Sequence, residues 1–449
     1  MKQVYLDTFG CQMNVADTDR MELLLFHSGY FRTHEPENAD LIIVNTCSIR
    51  EKAENKIYSL FGHFRPLKAK NPGLVLGMAG CLAQQEGENI LKKAPFIDFI
   101  MGPDCVEQIS DVVQHAQTSR KPRVWTEFDR AKEYSIPDLA HPLDRPADPS
   151  SFINIIKGCD KFCSFCVVPF TRGREKSREA AEIVAEAEQL VRRGAKEIIL
   201  LGQNVNAYGK RGLIEPTEFH ELLYRVAEVP GLQRLRFTTS HPKDFTPELV
   251  QAYQDLDVLV NHLHLPVQSG NDRILEEMRR GHTVAEYRAL IDLVRNKVPD
   301  MSFSTDVIIG YPSETEREFE DTLDLMEWVG YSSSFMFQYS PRPNTPAAEI
   351  PDTVSELEKR ERLQRTIELQ NRLTLEQGQR FIGTEVEALV EGPASRGKGL
   401  MRGRSPHYWS VFFPDPLKQV QPGERVSVLV EDVRGHSLSG VANLPAVVG

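Results

Sequence analysis

Three cysteines, Cys159, Cys163 and Cys166, fall within the nine residues GCDKFCSFC, a C-x3-C-x2-C pattern. Three thiolates on one short loop can bind three corners of a cubane 4Fe-4S cluster. Cluster ligation by cysteine normally uses four, so one iron is left open to a small chelating ligand. Structural zinc wants a closed tetrahedral set, and no Cys follows Cys166 to supply a second pair; a His completing a zinc site stays an alternative on the residues alone. Thiol redox chemistry uses C-x-x-C and has no need of a third thiol. The spacing favours a cluster over both.

Three further cysteines, Cys11, Cys47 and Cys81, are separated by 36 and 34 residues. Each ends an apolar stretch: VYLDTFGC (4–11), ADLIIVNTC (39–47) and GLVLGMAGC (73–81). In a parallel sheet such ends share one edge, where ligands are bound. One cysteine of this kind reads as a small core residue; three at equivalent points of successive units point to convergence. Cys105, after FIDFIMGPDC (96–105), is expected to start a helix. Were it a fourth ligand beside the other three, no iron there would stay open.

The elements that must position these thiols follow from pattern. Strand and helix alternate through residues 1–115, with helices at 17–28 and 50–69, and this predicts a doubly wound parallel α/β domain. Residues 116–150 are polar and Pro-bearing and read as a linker. From 151 a second series begins. Strands at 152–158, 196–204, 234–242, 261–270, 302–312 and 332–341 alternate with helices at 178–193, 217–228, 246–256, 271–280, 284–297 and 314–329. Six βα units predict a partial (β/α)6 barrel, whose chemistry belongs at the C-terminal ends of its strands. A capping box, Ser355 with Glu358, opens a connecting helix that closes this domain at 376. Residues 378–442 are strand-like and Gly-rich, as in a small antiparallel β-barrel of oligonucleotide-binding type.

The whole is an α/β multidomain chain. Its 449 residues exceed what one core organises, and 41% hydrophobic with 26% charged residues excludes disorder and a membrane bundle. No run of about 18 apolar residues occurs, and the opening MKQVYLDTFGCQMN is strand-like; a cytoplasmic protein without a membrane partner is expected. A formal charge of −11 confines any nucleic-acid site to a local patch. One exists: ASRGKGLMRGR carries Arg396, Lys398, Arg402 and Arg404 without an acid, and Tyr408 and Trp409 are expected to offer stacking faces beside it.

GCDKFCSFC followed by VVPFTRGREKSR resembles the radical S-adenosylmethionine (SAM) superfamily. YLDTFGCQMNVADTDRM, IIVNTCSIREKAENK, LLGQNVNAYG, FTTSHPKD, LHLPVQSGNDRILEEMRRGHT and STDVIIGYPSETE are similar to its methylthiotransferases across nearly the whole chain. The resemblance implies a radical-SAM cluster on Cys159, Cys163 and Cys166, the catalytic set, and an auxiliary 4Fe-4S cluster on Cys11, Cys47 and Cys81. It implies S-adenosyl-L-methionine as cosubstrate, used twice per turnover, as methyl donor and as radical source. Gln203, Asn204, Thr239, Ser240, Gln268, Asp306 and Gly310 are its implied cradle, with Phe162 and Phe165 expected to pack between the ligands. The terminal barrel resembles the TRAM domain. The implied reaction places a methylthio group at C2 of an isopentenylated adenosine beside the tRNA anticodon. An electron donor such as flavodoxin or ferredoxin serves a monomer. Threonylcarbamoyl-adenosine in tRNA, or a ribosomal-protein aspartate, are alternative substrates; an iron-sulfur carrier or RNA-binding protein without turnover is the non-enzyme alternative.

Overall fold

The computed structural model describes residues 1–47, 51–119, 121–128, 134–136, 146–397 and 399–443. They form two compact units. The smaller is Met1–Pro142 with Ile156–Asp160 and Val167–Arg178; the larger is Leu143–Ile155, Lys161–Cys166 and Glu179–Gly449.

In the smaller unit, β1 (Lys2–Thr8), β2 (Tyr30–Arg32), β3 (Leu41–Thr46), β4 (Val75–Gly80), β5 (Phe99–Met101) and β6 (Arg123–Trp125) make one sheet in the order β2-β1-β3-β4-β5-β6. All neighbours run parallel. Every residue of β3 and β4 is buried, as a central parallel strand covered on both faces must be. Alternation sends Ile43 into one apolar cluster with Val4, Leu25 and Val112, and Ile42 and Val44 into another with Phe61, Leu76 and Ile100. The expected doubly wound domain is present with two more strands than its pattern suggested. β2 and β6 have three residues each, too few to show periodicity. The stretch expected to be a linker is partly built into this unit, because β6 and the end of helix Ile109–Thr118 fall within it.

A short antiparallel pair, β8 (Ile156–Lys157) and β9 (Lys176–Ser177), also belongs to the smaller unit. The larger unit begins with β7 (Ser150–Asn154), followed by β10 (Glu197–Leu201), β11 (Arg234–Phe237), β12 (His262–His264), β13 (Ser302–Ile309) and β14 (Ser333–Gln338). These form two parallel three-stranded sheets, β7-β10-β11 and β12-β13-β14. A single parallel bridge, Leu235 to Leu259, links β11 to the approach to β12. The expected six-strand arc is thus seamed in the middle. Helices Ala180–Arg192, Phe219–Ala227, Pro247–Asp255, Asp272–Glu277, Val284–Lys297 and Glu316–Val329 lie between the strands as the periodicity requires, two of them, Asp272–Glu277 and Val284–Lys297, between β12 and β13.

The connecting helix, Glu356–Gln379, starts at the foreseen box: Ser355 Oγ accepts from the Glu358 N–H (3.2 Å) and Glu358 Oε2 accepts from the Ser355 N–H (2.8 Å). It leads into β15 (Glu385–Pro393), β16 (Leu400–Arg404), β17 (Ser410–Pro414), β18 (Arg425–Val433) and β19 (Ser437–Ala442), a closed barrel in the order β15-β16-β17-β19-β18. Its pairs are antiparallel except β17 with β19, which is parallel.

Within the larger unit the arc grips this small barrel through two buried arginines of β11. Arg234 Nη1 donates to the Arg404 carbonyl (2.6 Å) and Nη2 to Glu387 Oε1 (2.7 Å). Arg236 Nε donates to Glu197 Oε1 (3.0 Å), and its guanidinium lies 4.6 Å from the Tyr408 ring. Tyr408 in turn stacks on His262 at 4.9 Å. Burial pushes the Glu197 carboxyl up, but the Arg236 charge and a bond from Ser150 outweigh it and hold the group below its ordinary value. Removing the cation from such a pair strands a buried anion, which costs about 3–5 kcal/mol. Arg236→Met is therefore expected to destabilise the larger unit by that amount in urea unfolding, whereas Arg425→Met, at an exposed pair with Glu387, costs less than about 1 kcal/mol.

Candidate functional site

In the smaller unit, register brings the separated cysteines to one edge. Thr8 pairs with Asn45 across β1 and β3, and Thr46 with Gly80 across β3 and β4. Cys47 and Cys81 therefore follow register partners, and Cys11 lies three residues past the end of β1. Chain order reverses between β1 and β3, a topological switch point, where parallel sheets bind ligands. Two glycines make the approach close. A Cβ on Gly10 (φ +135°) would lie 2.5 Å from Cys47 Cβ, and one on Gly80 (φ +98°) 2.3 Å from the Thr46 carbonyl oxygen. Cys11 caps the helix Gln12–His27 and Cys81 opens Cys81–Glu86.

A buried polar network underlies these thiols. Asn45 Nδ2 donates to the Asn14 carbonyl (2.8 Å) and to Thr18 Oγ1 (3.0 Å), and Asn14 Nδ2 donates to the Phe9 carbonyl (3.0 Å). Into it reaches Arg172, from the chain just after the three-cysteine loop. Its Nη2 donates to Asn14 Oδ1 (2.8 Å) and Asp17 Oδ2 (2.7 Å). Burial pushes the Cys81 thiol up, and the Arg172 charge acts in the opposite sense. Burial also opposes the charge on Arg172, yet Asp17, Cys81 and Cys11 together hold its pKa well above the ordinary value. Cys105 stands apart. It lies in a 3-10 turn, Pro103–Gln108, buried in the apolar cluster of Val106 and Ile109, with Sγ 3.8 Å from the Glu127 carbonyl, which agrees with its expected start of a helical segment.

The loop of Cys159, Cys163 and Cys166 follows β8. The Cys159 N–H donates to the Gly173 carbonyl (3.2 Å) in the smaller unit. In the larger unit the Cys166 N–H donates to the Cys163 carbonyl (3.0 Å), and Arg280 Nη1 donates to Cys163 Sγ (3.4 Å) while its Nη2 is held by the Pro266 carbonyl (2.6 Å). Phe165 packs against the cluster of Ile274, Met278 and Tyr311, as expected of it; Phe162 instead is 37% exposed with φ +49°. None of the seven cysteines forms a disulfide. No group of three or more His, Cys, Asp or Glu among the described residues is placed to hold a single metal ion.

At the ends of β10 and β11, the implied cradle has acceptors to spare. Gln203 Oε1, Asn204 Oδ1 and Ser240 Oγ are buried without a hydrogen-bond partner among the described residues, as are Nε2 of His241 and of His282. Thr239 (φ +71°) and Gln268 (φ +75°) adopt left-handed backbone just past their strands, a strain typical of functional sites. Two expected members differ. Asp306 lies within β13, with its carboxylate 3.5 Å from His264 Nε2. The Gly310 N–H is spent on Glu314 Oε2 (2.9 Å). Pattern reasoning did not reveal Asp244, which gathers Asn204 Nδ2 (2.7 Å), Lys161 Nζ (2.6 Å) and Lys210 Nζ (2.5 Å). Nor did it single out Arg280 and His282, though RRGHT contains them. Burial pushes the His282 imidazole down to about 4, reinforced by Arg280, and His241 lower still, so both rings are neutral acceptors or donors at pH 7.

The residues fit the groups the sequence implied. Each cluster set offers soft thiol donors beside a buried guanidinium able to balance thiolate charge, and the strand ends offer unspent polar atoms for a zwitterionic cosubstrate.

The small barrel modifies the expected RNA patch. Arg396 is exposed, and Lys398 lies outside the described residues. Arg402 and Arg404 both pair with Glu391 of β15, at 2.8 Å and 2.9 Å, an acid that the linear segment does not contain. Trp409 offers no stacking face: it is completely buried, packed on His436 at 4.3 Å. Tyr408 is engaged by Arg236, His262 and Arg404. Alternation within β16–β17 buried one aromatic, and the grip on β11 took the other.

Comparison with known proteins agrees with this layout. Residues 153–326 match the Radical SAM superfamily, residues 379–442 the TRAM domain and residues 3–102 the uncharacterized protein family UPF0004. Over 442 residues the chain is 43% identical to the tRNA-2-methylthio-N(6)-dimethylallyladenosine synthase of Neisseria meningitidis serogroup B, spanning 97% of this chain and 99% of the relative. It is 43% identical over 452 residues to the protein of that name from Ralstonia nicotianae, spanning 98% and 97%. Among solved structures, the radical SAM methyltransferase TsrM from Kitasatospora setae superposes with TM-score 0.56 at 13% identity, over 78% of this chain and 75% of that one. The cobalamin-dependent SAM radical enzyme OxsB gives 0.51 at 11%, over 83% and 56%. At such identities the likeness is one of fold.

Gly80→Ala tests the approach of β3 and β4. Left-handed backbone and the clash with Thr46 together are expected to cost about 1–3 kcal/mol, and anaerobically reconstituted protein should lose up to about half of its iron and keep the rest, as measured by colorimetric iron assay.

Proposed function

The chain belongs to the tRNA-2-methylthio-N(6)-dimethylallyladenosine synthases, methylthiotransferases of the radical SAM superfamily, and from that premise we infer how its residues divide the reaction. It converts N6-isopentenyladenosine (dimethylallyladenosine) in tRNA to the 2-methylthio derivative by radical C–H activation at C2. The observation that carries this reading is the pair of three-thiol sets, one at the switch point of a parallel sheet and one on the loop after β8. The full-length relatives favour this tRNA base over threonylcarbamoyl-adenosine or a ribosomal-protein aspartate, and a superfamily of enzymes over a carrier.

Cys159, Cys163 and Cys166 would hold the radical-SAM cluster, and Cys11, Cys47 and Cys81 the auxiliary one. When bound, these clusters supply the electron that cleaves S-adenosylmethionine and a place for the sulfur to be methylated, chemistry that no side chain can provide. The chain's own part is positioning. Arg280 balances the charge of Cys163; Gln203, Asn204, Thr239, Ser240 and Gln268, with the neutral imidazoles of His241 and His282, order the cosubstrate. Lys161 and Lys210, fixed by Asp244, flank Asn204 through that same carboxylate. Asp306 faces His264 and is assigned to orientation within the arc. Gly310 contributes by its tight turn, its N–H being committed to Glu314.

RNA is met by the TRAM barrel through Arg396, Lys398 and Arg402, with Arg404 anchoring Tyr408. Glu391 must share its two cations with incoming phosphates. A flavodoxin or ferredoxin serves as electron donor, and the enzyme works as a cytoplasmic monomer. Among the described residues no helix is long and apolar enough to cross a membrane.

Cys163→Ala is expected to abolish 5′-deoxyadenosine formation from S-adenosylmethionine under reducing conditions, whereas Cys47→Ala retains part of it and yields no methylthio nucleoside, read by chromatography and by mass spectrometry of digested tRNA. Equal loss of cleavage in both, with the fold intact by circular dichroism, refutes the division of labour. Arg396→Ala with Arg402→Ala should weaken binding of unmodified tRNA and reduce the log-log salt slope by about 1 for each phosphate left without its cation, measured by filter binding at several salt concentrations.

A further inference from the structure

The buried cation beside the distal thiols has no role in holding the sheet together that an apolar residue could not fill. Arg172 has a side chain only 6% exposed, and its ion-pair partner Asp17 is 13% exposed. An isolated buried pair of this kind is at best break-even for stability against apolar packing. This one is not isolated. Asn14 Oδ1, which accepts from Arg172 Nη2 at 2.8 Å, also accepts from Cys11 Sγ at 3.8 Å. This second anchor, Asn14, is fully buried and also holds the Phe9 carbonyl, two residues before Cys11. The short helix just before Arg172, Val168–Thr171, packs on Cys81–Glu86. The guanidinium thus shares an acceptor with Cys11, and the helix that leads to it packs on the one that Cys81 opens.

We propose that Arg172 is a positioning residue of the auxiliary site, clamped by Asp17 and Asn14 so that its positive charge offsets the Cys11 and Cys81 thiolates and sets the reduction potential of the cluster they hold. The inference rests on the two-cluster reading above. Its sign follows from charge: reduction adds one electron to an already anionic centre, so a fixed cation close by favours the reduced state and a fixed anion disfavours it. Loss of Arg172 must drive the potential negative, and loss of the Asp17 charge must drive it the other way.

The test uses the full-length chain with Cys159, Cys163 and Cys166 replaced by Ala, reconstituted anaerobically, so that about four irons per chain report the auxiliary cluster alone. Midpoint potentials are read by EPR-monitored titration, with iron content and circular dichroism alongside. Arg172→Gln is expected to shift the midpoint to more negative values and Asp17→Asn to less negative ones, with Arg172→Lys close to the parent. If Arg172→Gln keeps a native dichroism spectrum but cannot retain iron, the positioning role is supported, and the Asp17→Asn and Arg172→Lys arms still read the potential. Midpoints for Arg172→Gln and Asp17→Asn that coincide with the parent overturn the proposal. A parent chain that retains no iron overturns the two-cluster reading itself.

Discussion

Hydrogen bonding between β1, β3 and β4 sets Thr8 beside Asn45 and Thr46 beside Gly80, and the chemistry of the smaller unit depends on that alignment. A parallel strand that slipped by one residue would carry its terminal cysteine to the opposite face. The slip is prevented by burial: Leu41 to Thr46 and Val75 to Gly80 have no exposed face to exchange. Asn45 adds a polar lock, since its amide is matched to Asn14 and Thr18 in one register only. The apolar core and the thiol edge are thus two results of one pairing.

Charge is arranged around both thiol sets by the same device. A guanidinium too buried to be satisfied by water is steered by backbone or amide oxygens toward a cysteine: Arg280 donates to Cys163 Sγ, and Arg172 shares Asn14 Oδ1 with Cys11 Sγ. Soft anionic centres need such compensation in a poorly solvated interior. The neighbouring imidazoles of His241 and His282 remain neutral for the complementary reason, since Arg280 and desolvation both disfavour a further positive charge.

Much of this was legible in the residues. The βα alternation located all six strands of the arc and their helices, because buried parallel strands are apolar throughout and their helices amphipathic. Ser355 and Glu358 announced a helix start through reciprocal capping. β2 and β6 escaped notice because three residues carry no period, and their pairing is decided by the sheet rather than by themselves. Arg172 and Arg280 were invisible as site members for a different reason: in linear order each is one cation among many, and only the fold reveals that its surroundings are dry. Trp409 misled in the reverse sense, an aromatic beside basic residues whose alternation turned it inward.

The smaller unit is completed by Ile156–Asp160 and Val167–Arg178, segments encoded beyond the start of the (β/α) arc. A gene fragment stopping before residue 156 would include every strand of the first sheet and all three distal cysteines, yet would omit β8, β9 and Arg172. Cassette exchange at the obvious composition boundary would therefore deliver a sheet without its buried counter-charge. A cut that keeps every segment of the smaller unit on one fragment falls after residue 178, and that fragment then includes both cysteine sets.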